Sequence, residues 1–423
     1  MFSSYSLDDR TCGAYHISKL NSKKSRLGCE RCKSRHVKCD EAKPLCKNCK
    51  RHGTPCHYRG AQPRRQPRIA TSVSLCSGET INDGACHEAY GGLSKLNMDL
   101  DDDPPESKER RLLEAGLMCQ YVSKTGGTLG IDDFSRSVFS DAVPEMCLRN
   151  EAMIYAMYSL AALDKERCSQ EKTHIPLHTP QKYLSMALRY HQTDLGNINS
   201  ANIDAICVTS CMLRIYAFAL LQNRSLQPYT PPIEWLTVTG SSSAVFQEAY
   251  RIMENKPNSI ALQFIEHAMI SLANEDSVKE QDSLWYLLQR NPEDRDMEPW
   301  DVEVQKAYEW AIYYLGSLRA AVKGGMDEGK IGRRMIIFPM LMNERLMELM
   351  LQGQPRSLAI LAHYFAFWIF FEHIWWVGAR GVQEVRAIAG NLTGKWRHLI
   401  EWPLQVLEQW ESGRLPRLHE TVV

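Results

Sequence analysis

Six of the fourteen cysteines in this 423-residue chain lie in one short basic stretch, "CERCKSRHVKCDEAKPLCKNCKRHGTPC", from Cys29 to Cys56. Their spacing is C-x2-C-x6-C-x6-C-x2-C-x6-C, so Cys29, Cys32 and Cys39 are spaced as Cys46, Cys49 and Cys56 are. Such a cluster admits two frameworks, a disulfide staple or a metal site. The compartment decides between them. The start, "MFSSYSLDDRTCGAYHISKL", has no apolar run behind a basic end, so no signal peptide is expected. The chain is expected to be soluble and intracellular, where thiols stay reduced and clustered cysteines serve as metal ligands. On that reading the Asn-x-Ser/Thr matches at Asn223 and Asn391 are fortuitous.

Two residues between ligands let both sulfurs of a Cys-x-x-Cys pair reach one ion, and two such pairs suit two ions. Zinc takes four thiolates in a tetrahedron at about 2.3 Å. Two separate tetrahedra need eight sulfurs, and the stretch holds six. The count closes if two cysteines bridge both ions. The charge of the segment points the same way. The chain's net charge of zero is a cancellation: residues 21–70 carry 15 Lys and Arg against Glu30, Asp40 and Glu41, a surplus of 12. Two zinc ions and six thiolates remove about two of those charges. So basic a segment within a neutral chain fits a polyanion partner.

This stretch resembles the fungal zinc binuclear cluster, a DNA-binding module of transcription regulators, and all six cysteines match the family spacing. The resemblance implies that two zinc ions are the cofactor and that Cys29 and Cys46 are the bridging ligands. Cys32 and Cys39 complete one site, Cys49 and Cys56 the other. It also implies that the end of the first short helix enters the major groove of double-stranded DNA and reads a CGG-like triplet. The matching positions are Arg35 and His36. Arginine grips guanine O6 and N7 with two donors, whereas a neutral histidine offers one. Arg35 is therefore the leading base contact, with His36 and Lys38 assisting. Lys33 is a further expected DNA contact, and Lys47, Lys50 and Arg51 are expected at phosphates, which fix position without reading sequence. Lys23, Lys24, Arg26, Arg64, Arg65 and Arg68 extend the basic surface and suit a nuclear localisation signal.

The expected fold is a small zinc-stabilised binuclear cluster module of two short helices, joined by a flexible linker to a large all-α C-terminal domain. Its expected divisions are a disordered N-terminal tail over 1–22, the zinc module over 23–60, the linker over 61–106 and the helical domain over 107–415. The linker has scattered Gly, Pro and Ser, no apolar period and no heptads. From Ser107 onward helical periodicity dominates. "SKERRLLEAGLMCQYV" sets Leu112, Leu113, Leu117 and Met118 on neighbouring turns. "PWDVEVQKAYEWAIYYLGSL" offers Asp301 as N-cap, then Val304, Ala307, Tyr308, Ala311, Leu315 and Leu318 on one face. "IDAICVTSCMLRIYAFALL" is apolar nearly all round, as a central helix is. No alternating β-branched run suggests a sheet, and about ten helices are expected. The most apolar run, Leu358 to Phe371, is shorter than the about 20 residues a bilayer needs and reads as a core helix, so no membrane span is expected.

Phrases such as "RSLAILAHYFAFWIFFEHIWWVGARGVQEVRAI" and "PPIEWLTVTGSSSAVFQEAY" resemble the regulatory domain of fungal regulators of the sterol-uptake-control type. That resemblance implies a regulatory role, with an apolar small-molecule effector in some relatives. The aromatic stretch Phe365, Phe367, Trp368, Phe370, Phe371, Trp375 and Trp376 suits core filling as well as pocket lining. His363, Glu372 and His373 fit no ligand motif; nine residues put His363 and Glu372 on opposite sides of a helix. Cys207 and Cys211 read as buried small apolar groups. No nucleophile elbow, phosphate loop, dinucleotide fingerprint or metalloprotease motif occurs, so an enzyme is not expected. The expected function is a zinc-dependent, sequence-specific DNA-binding regulator of RNA polymerase II transcription in a fungal nucleus, specific for a pathway such as a biosynthetic gene cluster. Its expected partners are DNA, the transcription machinery or co-regulators, and a second copy in a homodimer. The alternative is a co-regulator that acts mainly through partner or ligand binding by the helical domain.

Overall fold

The computed structural model describes residues 29–56, except 36, 38, 43–44, 53 and 55, and residues 106–418, except 169–177, 255, 274–280, 291–296, 393 and 417. These form two compact units, one from each range. The expected N-terminal tail, most of the linker, the flanking basic residues from Lys23 to Arg26 and Arg64 to Arg68, His36 and Lys38 all lie outside the described residues.

The first unit has two five-residue helices, α1 (Glu30–Ser34) and α2 (Lys47–Arg51). Its buried core consists of Cys29, Cys32, Cys39, Cys46 and Cys49, with Cys56 packed against them. No aliphatic or aromatic side chain belongs to that cluster among the described residues.

The second unit is helical, without a strand among the described residues. Its α-helices are α3 (Lys108–Gln120), α4 (Asp133–Ser137), α5 (Val143–Met146), α6 (Glu151–Cys168), α7 (Thr179–Leu195), α8 (Ile203–Leu220), α9 (Ile233–Met253) and α10 (Ile260–Ala273). There follow α11 (Val302–Lys323), α12 (Glu328–Leu341), α13 (Glu344–Leu351), α14 (Pro355–Ile369), α15 (Arg380–Asn391) and α16 (Glu401–Glu411). Short polar side chains start many of them. Ser107, Asp132, Asp301, Asp327 and Asn343 each accept a hydrogen bond from the backbone N–H three residues on, at 2.7–3.1 Å. Each satisfies a donor the first turn leaves without a partner. The expected α11 face is buried, from Val304 through Leu318. On α3 the pattern holds only in part: Leu117 is buried, but Leu112 is 64% exposed.

Helix α14 lies at the centre, with every residue from Arg356 to Ile369 buried. It meets α15 where a Cβ on Gly381 would stand 2.6 Å from the Ile369 nitrogen, so glycine alone permits that approach. Pro339 interrupts α12 and deprives the Met335 carbonyl of its helical donor; the Tyr364 hydroxyl supplies one at 3.0 Å. Most of the aromatic stretch fills core, with Phe365, Phe367, Trp368, Phe371 and Trp376 at most 2% exposed. Among the described residues one helical stretch, Ile203–Asn223, is long and apolar enough to cross a bilayer, with mean hydropathy 1.6, yet 83% of that window is buried in this unit. It is a core helix.

Several of the charges buried in this core have partners around them. Arg356 pairs with Glu298 at 2.8 Å between the rings of Trp300 and Trp396. Glu384, fully buried, accepts two bonds from Arg224 at 2.8 and 2.9 Å and one from the Tyr229 hydroxyl at 3.1 Å, with Arg380 at 3.5 Å. Burial pushes the Arg380 guanidinium down to about 10, against the pull of Glu384.

Among the described residues two histidines are fully buried: His191 beside Ser210 at 3.1 Å, and His363 against the Leu399 carbonyl at 2.9 Å. Burial pushes His191 down to about 3 and His363 to about 4. The unfolded chain therefore binds protons that the folded unit refuses, and stability falls as pH drops below about 6.5 towards those values. Each histidine costs about 1.4 kcal/mol per pH unit in that window. Going from pH 7 to pH 5 should destabilise the unit by roughly 4 kcal/mol through the pair. Chemical denaturation across that range checks this; His191→Gln should halve the loss, and an unchanged slope would refute the assignment.

Candidate metal centre and nucleic-acid interface

The cysteine unit is built as a repeat with an offset of 17 residues. Cys29 is the N-cap of α1, and its Sγ accepts from the Cys32 backbone N–H at 3.5 Å; Cys46 caps α2 and accepts from Cys49 at 3.4 Å. The Cys29 N–H donates to Cys39 Sγ at 3.5 Å, and the Cys46 N–H to Cys56 Sγ at 3.3 Å. The chain leaves each helix the same way: Val37 N–H donates to the Cys32 carbonyl at 3.0 Å, Thr54 N–H to the Cys49 carbonyl at 3.1 Å. Between the halves, the Asp40 carboxylate accepts from the Lys47 N–H at 3.0 Å and adds a second cap to α2.

The sulfurs decide between staple and metal. Every described cysteine is free of a disulfide. Cys29 and Cys46 Sγ are 3.8 Å apart, Cys29 and Cys49 3.6 Å, Cys32 and Cys46 3.6 Å. A disulfide needs about 2.05 Å. Thiolates on a tetrahedral ion at about 2.3 Å stand about 3.8 Å apart. The sulfurs form two sets of four, Cys29, Cys32, Cys39, Cys46 and Cys29, Cys46, Cys49, Cys56, each within 4.8 Å of one another. Two members are common to both sets, and they are the first cysteine of each half. Burial pushes the Cys29 and Cys32 thiols up from the ordinary range. Holding such groups as thiolates requires nearby cations, and two divalent ions supply them.

Residues 27–65 match the family model for the fungal Zn(2)-Cys(6) binuclear cluster domain. They are such a domain. Two zinc ions are its cofactor, and the six clustered sulfurs fit them. The likeness extends well past the cluster. A Zn(2)-C6 fungal-type transcription factor of Aspergillus fumigatus, afumD, is 27% identical over 352 residues, covering 82% of this chain and 86% of that protein. A Zn(2)-C6 fungal-type transcription factor of Gibberella zeae is 23% identical and covers 92% of this chain and 86% of its own. The transcriptional activator protein UGA3 of Saccharomyces cerevisiae matches over 44 residues at 46% identity, 10% of this chain and 8% of its own. The chain thus carries a fungal Zn(2)-Cys(6) binuclear cluster domain followed by a helical unit, and its likeness to fungal transcription factors extends beyond the cluster.

Around the binuclear cluster the basic side chains face outward. Lys33 and Arg35 on the first half, and Lys47, Lys50 and Arg51 on the second, are all exposed. Arg35 is the C-cap of α1, its N–H donating to the Arg31 carbonyl at 3.2 Å. Arg31 is exposed on the same helix and was not among the expected contacts; its place between two ligands, in Cys-Glu-Arg-Cys, is the signal that marks it as solvent-facing. Val37 and Leu45, 47% and 40% exposed, add apolar contact surface. In the helical unit, His363, Glu372 and His373 do not converge. His363 is buried, Glu372 accepts from the Trp410 indole, and His373 pairs with Glu328 at 3.5 Å.

Because Cys29 and Cys46 serve both sets, the six cysteines should not be equivalent. Cys29→Ser or Cys46→Ser should loosen both ions, and Cys56→Ser one. Native mass spectrometry during a chelator titration would show two ions leaving together from Cys29→Ser and one leaving first from Cys56→Ser. Identical release from both variants would rule out sharing.

Proposed function

We propose that this protein binds double-stranded DNA in the nucleus through its binuclear cluster domain, reads a CGG-like triplet and regulates transcription of a dedicated set of genes. Cys29 and Cys46 bridge the two zinc ions; Cys32 and Cys39 complete one site, Cys49 and Cys56 the other. Arg35, at the free end of α1, is the guanine contact, with His36 and Lys38 beside it in sequence. Lys33, Lys47, Lys50 and Arg51 hold phosphates. The helical unit is the regulatory part, engages the transcription machinery or co-regulators, and takes an apolar small-molecule effector. The domain takes residues 23–60, the linker 61–106 and the regulatory unit 107–415.

One observation carries this reading. Two four-sulfur sets share a pair of cysteines, and the helices they cap turn exposed lysine and arginine outward. Metal replaces the apolar core that so short a segment cannot build, so its surface is free to be basic. A second reading, a co-regulator that acts mainly through ligand binding, is favoured by an apolar cavity in the helical unit.

Selection from a random duplex library by the zinc-loaded full chain, at about 0.15 M salt, tests the proposal. Enrichment of CGG-type triplets is expected, and one triplet or two at fixed spacing reports monomer or homodimer. Arg35→Ala should weaken the selected site roughly ten- to a hundredfold and relax the preference at one base pair. Lys50→Ala should weaken all sequences alike and lower the slope of log affinity against log salt by about 0.9. Salt-sensitive binding with no enriched sequence would sink direct readout and leave the co-regulator reading.

A further inference from the structure

A cavity of about 590 Å³ opens into the helical unit, bounded by α8, α9, α10, α12 and the two tryptophans Trp368 and Trp376. Pockets of roughly this volume bury most of a drug-sized molecule. Phe218, Trp235, Phe264 and Ile337 make most of its wall apolar. Its mouth is marked by lining residues that stay exposed, Tyr250 at 46%, Met269 at 58% and Leu341 at 46%. Large apolar side chains left in water around an apolar hole are what a ligand covers on entry.

The polar groups of the wall narrow the class of ligand. Arg333 is already neutralised: it forks onto Asp132 at 2.7 and 3.0 Å and donates to the His267 carbonyl and Ser271 hydroxyl. Arg214 is not. It projects from α8, is 8% exposed, and its guanidinium lies over the Phe246 ring at 5.6 Å. Its hydrogen bonds go to two sulfurs, Met340 Sδ at 2.7 Å and Cys211 Sγ at 3.0 Å, and its buried Nε has no partner. Thioethers and thiols are weak acceptors, and arginine does not shed its proton. No acid pairs with Arg214 among the described residues. Thr239, 2% exposed and on the same wall, also has a buried hydroxyl without a partner. A buried cation without a counter-ion is costly, and a methionine or leucine of similar volume would avoid that cost. The arginine makes sense if its counter-ion arrives from outside.

We propose that this cavity binds a mostly apolar small molecule bearing one carboxylate, its acid on Arg214 with Thr239 as a further hydrogen-bonding group, its body among Phe218, Trp235, Trp368 and Trp376. This rests on the reading of the helical unit as effector-binding, and it names the chemistry of the effector. The carboxylate takes the fork of Nε and an Nη, the arrangement Arg224 already makes with Glu384.

The test uses the full zinc-loaded chain and two probes of one chain length, dodecanoate and dodecanol, each titrated by displacement of anilinonaphthalene sulfonate. Dodecanoate should bind at least tenfold more tightly. Arg214→Met, which keeps volume and removes charge, should abolish that preference and leave dodecanol affinity within about twofold. Equal binding of both probes by the natural chain, or a preference that survives Arg214→Met, overturns the acid class while the effector reading stands. Failure of all three compounds to bind overturns both. The comparison on the natural chain holds even if the variant fails to fold.

Discussion

Two sulfurs shared between two metal sets govern the N-terminal unit. A segment of this length has no apolar core of its own; what is buried is thiol, and thiols pack usefully only around cations. Because Cys29 and Cys46 belong to both sets, six sulfurs supply two groups of four. It also ties the halves together, since neither set is complete without a sulfur from the other half. Each cysteine common to both sets is also an N-cap, so the sulfur that would tie the two ions also starts a helix. Helix, metal set and chain direction follow from one residue in each half. Apart from residues such as Asp40, which caps α2, the surface is left with little folding task, so its lysines and arginines are free to meet a polyanion.

The helical unit solves the opposite problem. It has apolar surface in plenty and must place the few charges that enter it. Arg356 meets Glu298, Arg224 and Arg380 meet Glu384, and Arg333 meets Asp132, each pair joining elements distant in sequence or fixing a helix end. Ion pairs of this kind add little net stability over apolar substitutes, but losing one partner is severe, commonly 3–5 kcal/mol. They hold register between helices. Against this background Arg214 differs from these arginines: it is 8% exposed and no acid pairs with it among the described residues. A ligand acting there alters DNA occupancy only as far as it binds two states of the chain with different affinity.

Much of this was legible in the sequence, and the reasons differ by region. Cysteine count and spacing call for two sets with two common members, and the family resemblance, not the spacing, marked Cys29 and Cys46 as those two. Capping residues with a following apolar stripe gave α11 from Asp301 to Leu318. Periodicity did less well on α3, where Leu112 faces solvent, because a leucine on the edge of a stripe is buried only if a neighbour arrives. The cavity was not legible as a cavity. The aromatic stretch after Leu361 reads as core and mostly is core; that Trp368 and Trp376 also wall a hole depends on α8, α9, α10 and α12 meeting there. Arg214, in the apolar run "CMLRIYAFALL", was the visible hint: an arginine on a helix buried all round must have a purpose.

The repeat in the cluster domain finally bears on which half reads bases. Seventeen residues on from Arg35, at the same helix end and with the same backbone bond, stands His52. Lys33 corresponds to Lys50, but Ser34 to Arg51 and Glu30 to Lys47. The metal scaffold thus offers one framework twice, and only the side chains distinguish the copies. At the end of α1 stands a two-pronged donor suited to guanine; at the end of α2, an imidazole with one donor when neutral and lysines suited to phosphate. On the proposed reading, a duplex meeting this repeated frame would find readout on one side and grip on the other. That asymmetry, rather than the metal cluster itself, is then where specificity would reside.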